Sequence, residues 1–294
     1  GKKVRSLRLP VNFTTASDCD ENNEHCRSAA DQMNNNPMGI LLEDQETIVQ
    51  MQPAYRCDLN GPFLARFGNN TDGCPQNFPN ITSIFSEGIY GAHGGSGLSG
   101  VGGMIRLGEL LPDSPPISHA LKIEFQHIWY FGLYKLANDS TYNGGRSQYV
   151  WPATGSDSGS SKVPGGLYSG TDPNMVPGAL LSFPSSISTL SLKTTVGKKI
   201  FDALYNYGAY IVDDTGGENS VAICMDALVN AEMRRTYGYN MAYPGGMKKG
   251  FPLYQDLLTI FQNLHVVTNN GPGHIGGGGI PRKPTKGPIC LLRV

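Results

Sequence analysis

Two histidines, His93 and His119, flank a glycine-dense run, and Glu87 and Glu109 lie close to them in sequence. Imidazole and carboxylate groups within reach of one another supply general acid–base chemistry. The stretch from Gly91 to Phe125 is therefore where a site should have its backbone set. A second acidic pair, Asp213 and Asp214, closes an apolar run and opens the turn Thr215-Gly216-Gly217, with Glu218 just beyond. Glycoside hydrolysis needs two facing carboxyl groups, and Glu87, Glu109, Asp213, Asp214 and Glu218 are the candidates. Adjacent residues on a strand point to opposite faces, so Asp213 and Asp214 are not expected to form a dyad. One can face a site while the other caps the turn, and the turn role is favoured.

Other chemistries fit less well. The run Gly91 to Gly103 lacks the Gly-Lys-Ser/Thr ending of a phosphate loop, and Gly-Ser-Gly-Leu-Ser-Gly departs from the nucleophile-elbow spacing. Its glycines suit a tight turn against another backbone, or a loop that lets a sugar approach main-chain amides. No HExxH or His-x-His pattern is present, so neither a metal nor a cofactor is expected. A lyase would need a base and a cation for the substrate carboxylate; Arg106 and Lys122 are the nearby cations. Trp129, Tyr130, Trp151 and Tyr168 can stack on sugar rings, although large aromatics more often fill the core of a β protein.

The elements that must position these groups follow from periodicity. His119 to Phe125 alternates, placing His119, Leu121, Ile123 and Phe125 on one face and Ala120, Lys122 and Glu124 on the other. On that apolar face His119 reads more readily as a hydrogen-bonded core residue than as a catalytic base, and Lys122 points away from it. Residues 46–52, the aromatic run 126–135, Tyr149-Val-Trp-Pro152, 209–212, 220–225 and 264–267 also read as strands. A short helix is expected near His25 to Met33. Two further helices carry clear apolar faces, Lys198 to Tyr207 with Gly208 as its stop, and Leu253 to Leu264. Thr154 to Asn174 is a long Ser/Gly-rich loop. The fold class expected is mainly β, a sandwich or jelly-roll with two short docked helices and long Gly/Pro-rich loops. The division is an irregular arm over 1–38, a β-rich core over 39–268 and an extended tail over 269–294.

Composition narrows the function. The 294 residues carry 23 basic and 24 acidic side chains, a net charge of −1. That balance gives no electrostatic case for nucleic acid or an anionic membrane surface. No apolar run approaches the roughly 18 residues needed to span a bilayer. The six cysteines, Cys19, Cys26, Cys57, Cys74, Cys224 and Cys290, have no metal-type spacing. They suggest disulfides, with Cys19–Cys26 and Cys57–Cys74 as the economical local pairs and Cys224–Cys290 left to pin the tail. Sequons at Asn12, Asn69, Asn80 and Asn138 fit N-glycosylation. Together with Gly1 in place of an initiator methionine, they point to a secreted, extracellular glycoprotein whose targeting segment has been removed.

The motif order GxxGxHGGSGLSxxGGxIRLGEL, PISHALKI, YVWPAT, YGAYIVDDTGG and NNGPxxIGGGG resembles a widespread secreted family of bacteria and some eukaryotes that has no established activity. The resemblance covers roughly Gly39 to Gly279. It implies that His119, Trp151 and Asp214 occupy signature positions, and it supplies no catalytic residue to carry over. Two functions are therefore expected. The first is a structural or glycan-associated extracellular protein, a subunit of a filament or matrix, whose Ile289-Cys-Leu-Leu292 adds a strand to its own sheet or to a neighbouring copy. The second is a polysaccharide hydrolase or lyase using His119 or His93 with Asp214, Asp213 or Glu109 beside the Gly91–Gly103 loop, and Trp129, Trp151 and Tyr168 for stacking. Carbohydrate and a second copy of the chain are the expected partners.

Overall fold

A computed structural model describes residues 37–52, 54–56, 63–65, 80–132, 134–135, 146–157, 168–215, 221–226, 228–241, 248–278 and 282–283. Its strands are β1 (Met38–Leu41), β2 (Thr47–Met51), β3 (Ala54–Arg56), β4 (Phe63–Ala65), β5 (Asn80–Ser83), β6 (Leu121–Phe125), β7 (Tyr134–Lys135), β8 (Arg146–Ser147), β9 (Leu180–Ser182), β10 (Ala209–Asp214), β11 (Val221–Ile223) and β12 (His265–Val266). Its helices are α1 (His127–Tyr130), α2 (Thr195–Asn206), α3 (Val229–Tyr237) and α4 (Pro252–Gln262). Helices and strands take comparable shares of the described residues, so the mainly β expectation holds only in its abundance of short strands.

The centre is a five-stranded sheet in the order β11-β6-β10-β9-β12. Its middle pair, β6 and β10, is parallel, and the other pairings are antiparallel. Leu121, Ile123 and Phe125 of β6 and Ile211 of β10 cluster with Val196, Ile200 and Leu204 of α2 and Leu253, Leu257 and Ile260 of α4. Burying each such side chain stabilises the fold by about 1.5–3 kcal/mol. The opposite face carries Tyr210 and Val212, which pack with Leu98 of the glycine loop, Ala120, Ala153 and Leu180. Both faces are thus covered, which is why β10 reads as a nearly continuous apolar run.

Local chemistry sets the helices. α2 begins at Thr195 because the Thr194 hydroxyl accepts from Gly197 N–H at 2.9 Å. It ends at the expected Gly208, whose φ of 76° is the left-handed conformation that favours glycine. Asp256 of α4 locks the two helices together: its carboxylate accepts from Lys193 N at 2.9 Å, Thr194 N at 2.7 Å and Thr194 Oγ1 at 2.6 Å.

Three sequence expectations change here. The run 126–135 is not one strand, because Gln126 caps a helix by accepting from Trp129 N–H at 3.2 Å, and α1 turns the chain before β7. Tyr149 to Pro152 is a turn, closed by Ala153 N donating to Val150 O at 2.9 Å. α3 was not expected, since only Val229 and Met233 of its residues are buried. The expected helix at His25 to Met33 lies outside the described residues.

A three-stranded antiparallel sheet, β1-β2-β5, lies beside the glycine loop and holds it by side chains. Buried Gln50 of β2 accepts from Gly100 N at 2.6 Å, and Gln52 accepts from Gly94 N at 2.5 Å. Among the described residues no helix is long and apolar enough to cross a membrane.

Candidate functional site

The chemistry collects where the parallel strands β6 and β10 end. In α/β sheets that edge is where ligands gather, because the chain leaves both strands there in loops. β10 is not regular: Ile211 aligns with Ile123 and Asp213 with Glu124, so Val212 is left without a partner on β6. Such a bulge re-aims the residues beyond it. It brings Asp213 beside Glu124, on the side of the sheet that faces the glycine loop. The loop uses the same irregularity, as Ser96 N donates to Val212 O at 3.3 Å.

His93 is the hub and is only 2% exposed. Its Nδ1 lies 3.4 Å from Asp213 Oδ2, and its Nε2 lies 3.6 Å from Glu124 Oε1 and 3.8 Å from Cys224 Sγ. The Cys224 thiol donates to Glu124 Oε1 at 3.2 Å. Below them Lys122 is wholly buried, with Nζ donating to Ser99 O at 3.0 Å and Gly100 O at 2.9 Å. Burial pushes the Lys122 ammonium down, against the pull of Cys224, Glu124 and Asp213. Burial raises the Glu124 carboxyl despite the neighbouring His93, and it raises the Cys224 thiol well above its ordinary value, with Glu124 adding to the effect.

A second group opens towards solvent. Oxygens of Asp157, Asp213 and Asp214 lie within 4.8 Å of one another. Asp213 and Asp214 therefore do share a site with a third carboxylate, contrary to the expectation from strict alternation, because β10 is irregular and ends at Asp214. Tyr168 donates its hydroxyl to Asp157 Oδ2 at 2.6 Å. Asp157 is nevertheless raised to about 6, by burial first and then by Asp213, with the Tyr168 hydrogen bond opposing. Asp214 is raised by burial and by Asp213, while its hydrogen bond and charge contact with His127 Nδ1 oppose the shift. Two donor sets thus meet at Asp213: His93, Glu124 and Cys224 on one side, and the three aspartates on the other.

The remaining candidates are distributed elsewhere. His119 is buried, with Nδ1 2.9 Å from Ala120 O and Nε2 3.1 Å from Glu109 Oε1. Glu109 is itself held low: burial raises it, but hydrogen bonds from His119 and Arg106 N outweigh that. The two form a pair at the edge of the core, away from the cluster around Asp213. Tyr168 is 1% exposed and serves as a hydrogen-bond donor to Asp157. Trp151 is half-buried, Glu87 is exposed, and Trp129 is 61% exposed two residues beyond His127.

Among the described residues Cys224 is a free thiol; Cys290, its expected partner in the tail, lies outside the described residues. So do Cys19, Cys26, Cys57, Cys74, Asn12, Asn69, Asn138, Glu218 and the segment 289–292. Asn80 opens β5, an outer strand of its sheet. Sequence reasoning missed Asp157, His127, Glu124 and Cys224. Each looks ordinary in its own stretch, and only the Asp157 position in the long Ser/Gly loop carried a signal.

Compared with protein-family models, curated proteins and solved structures, the chain matches none of them.

Proposed function

We infer that the protein is a secreted polysaccharide-active enzyme, a glycoside hydrolase in preference to a lyase. The observation that carries this is the convergence of Asp157, Asp213 and Asp214 beside the glycine loop, with one of the three raised to about 6. A carboxyl group with that value is protonated in a useful fraction near neutral pH and can act as a general acid. Asp157 takes that role, and half-exposed Asp214, steadied by His127, is the nucleophile. Inverting enzymes separate their carboxyl groups by about 6.5–9.5 Å to seat a water. Carboxylate oxygens that approach within 4.8 Å leave less room for that water, and we assign direct attack and a retaining course. Asp157 gives its proton to the glycosidic oxygen while Asp214 bonds to the anomeric carbon and the carbon–oxygen bond to the leaving sugar breaks. Water, losing a proton to the Asp157 carboxylate, then displaces Asp214. The neighbouring Asp213 carboxylate raises both Asp157 and Asp214 and so disfavours their early ionisation. Exposed Trp129 offers a flat apolar face to a sugar ring at the rim.

The alternative, a structural subunit joined into filaments by its tail, has less support. Arg282 donates to Tyr205 O at 2.8 Å and to Phe183 O at 2.9 Å and lies over the Tyr205 ring, so this part of the tail is spent on its own chain. The test is release of reducing ends from a panel of neutral and acidic polysaccharides. Asp157→Asn and Asp214→Asn should each lower the rate about 100-fold or more with the fold unchanged by circular dichroism. Absence of release from every polysaccharide, or variants as fast as the parent, would overturn the reading.

A further inference from the structure

We propose that His93 Nε2, a Glu124 carboxylate oxygen and the Cys224 sulfur bind a divalent transition-metal ion of the zinc class, with Asp213 orienting the histidine. The proposal shares Asp213 with the hydrolase reading but uses none of the groups assigned to acid, nucleophile or sugar platform.

The first support is shape. Zinc bonds of about 2.0 Å to nitrogen and oxygen and about 2.3 Å to sulfur, opened to the tetrahedral angle, put neighbouring donor atoms about 3.3–3.6 Å apart. The three donors here form a triangle with edges of 3.6 Å (His93 Nε2 to Glu124 Oε1), 3.8 Å (His93 Nε2 to Cys224 Sγ) and 3.2 Å (Cys224 Sγ to Glu124 Oε1). Each edge is within a few tenths of an ångström of a tetrahedral face. Imidazole, carboxylate and thiolate together are a zinc-type donor set.

The second support is the histidine itself. Buried polar atoms nearly always have hydrogen-bond partners. The His93 ring is 2% exposed; among the described residues its Nδ1 has no hydrogen bond, and its Nε2 meets only Glu124 Oε1 at 3.6 Å and the Cys224 thiol at 3.8 Å. A cation at Nε2 fixes the proton on Nδ1, which then points at Asp213 Oδ2, 3.4 Å away. That is the carboxylate–histidine–metal relay by which proteins orient a metal-bound imidazole. Lys122 does not compete for the donors, as its ammonium is engaged by the carbonyls of Ser99 and Gly100. Charge also balances. Binding releases the thiol proton, so the dication meets one carboxylate and one thiolate.

With three protein donors, the fourth tetrahedral position belongs to water or a ligand. The donors reach solvent past Glu124, whose side chain is 22% exposed. No sequence motif announces the set, because Cys224 and His93 are 131 residues apart.

The experiment uses the full chain, stripped with a chelator and titrated with zinc chloride in competition with a chromophoric chelator, and separately with cobalt chloride. The expected result is one ion per chain and a thiolate-to-cobalt charge-transfer band in the near ultraviolet. Cys224→Ser should abolish the band, and Asp213→Asn should weaken zinc binding by about 10–100-fold. If the variants fold poorly, alkylation of the parent chain mapped by mass spectrometry decides the matter, since zinc should protect Cys224 from iodoacetamide. No stoichiometric uptake, a band that survives Cys224→Ser, or equal Cys224 alkylation with and without zinc would each overturn the proposal.

Discussion

A β-carbon on Gly95 would stand 2.8 Å from Asp213 Oδ1 and 3.1 Å from Asp157 Oδ1, at a residue whose φ is +62°. The glycine loop is thus fitted onto the carboxylates, and its conformation is closed to most other residues. Gly95→Ala is expected to destabilise the protein by about 1–3 kcal/mol and to lower hydrolysis more than tenfold. Denaturant melts and initial rates read both. A fully active Gly95→Ala variant would mean that the loop and the carboxylates are not coupled.

The raised carboxyl of Asp157 makes a stability prediction with a definite sign. Its folded value, about 6, lies above the ordinary 3.8, so the folded state holds this proton more tightly than the unfolded chain does. Stability from this group is full below pH 4 and is lost as pH rises towards 6. The loss reaches at most about 3 kcal/mol, at about 1.4 kcal/mol per unit. Asp157→Asn keeps an acceptor for Tyr168 without the charge. It should therefore melt later than the parent at pH 7.5 and no later at pH 3.5.

The same group fixes the pH profile of the proposed reaction. A general acid works only while protonated, so kcat/KM should fall on the alkaline side with an apparent midpoint near the Asp157 value of about 6. In Asp157→Asn the residual activity should lose that limb. A profile with the alkaline limb intact in the variant would assign the limb to another group.

His119 and Glu109 should separate stability from chemistry. His119→Gln removes one partner of a buried pair and is expected to lower stability by about 2–4 kcal/mol, with kcat changed less than threefold at a temperature where the protein remains folded. A large loss of kcat in a well-folded variant would return His119 to the catalytic set.

Trp129 makes the opposite prediction. It is 61% exposed, so Trp129→Ala should change stability by less than about 0.5 kcal/mol. Loss of a stacking face worth about 1–1.5 kcal/mol should raise KM for a long polysaccharide about tenfold. The two readouts together distinguish a sugar platform from a chance surface aromatic.

Much of the scaffold was legible in the chain. The period-two pattern of residues 121–125 and the 3.6-residue pattern of α2 and α4 mark apolar faces, and such a pattern is carried by residues only a few positions apart. Gly208 was readable as a helix stop because a positive φ is a local requirement. Even the core nature of His119 followed from its place ahead of Leu121 and Ile123. α3 was invisible because its buried stripe is only Val229 and Met233, too narrow to stand out from its polar residues.

The site was a different matter. Alternation by itself separates Asp213 from Asp214; the unpartnered Val212 and the end of β10 bring both to Asp157, and a register shift depends on the neighbouring strand, not on local residue types. His93 was legible as a histidine beginning a glycine loop, and its partners were not. Asp213 lies on β10, Glu124 on β6 and Cys224 just after β11, and the order of these strands in the sheet, β11-β6-β10, differs from their order in the chain. The sequence by itself determined which side chains are buried and where the backbone must turn. Only the tertiary structure decided which buried charges meet, because parallel pairing and sheet order bring together residues 100 and 131 positions apart.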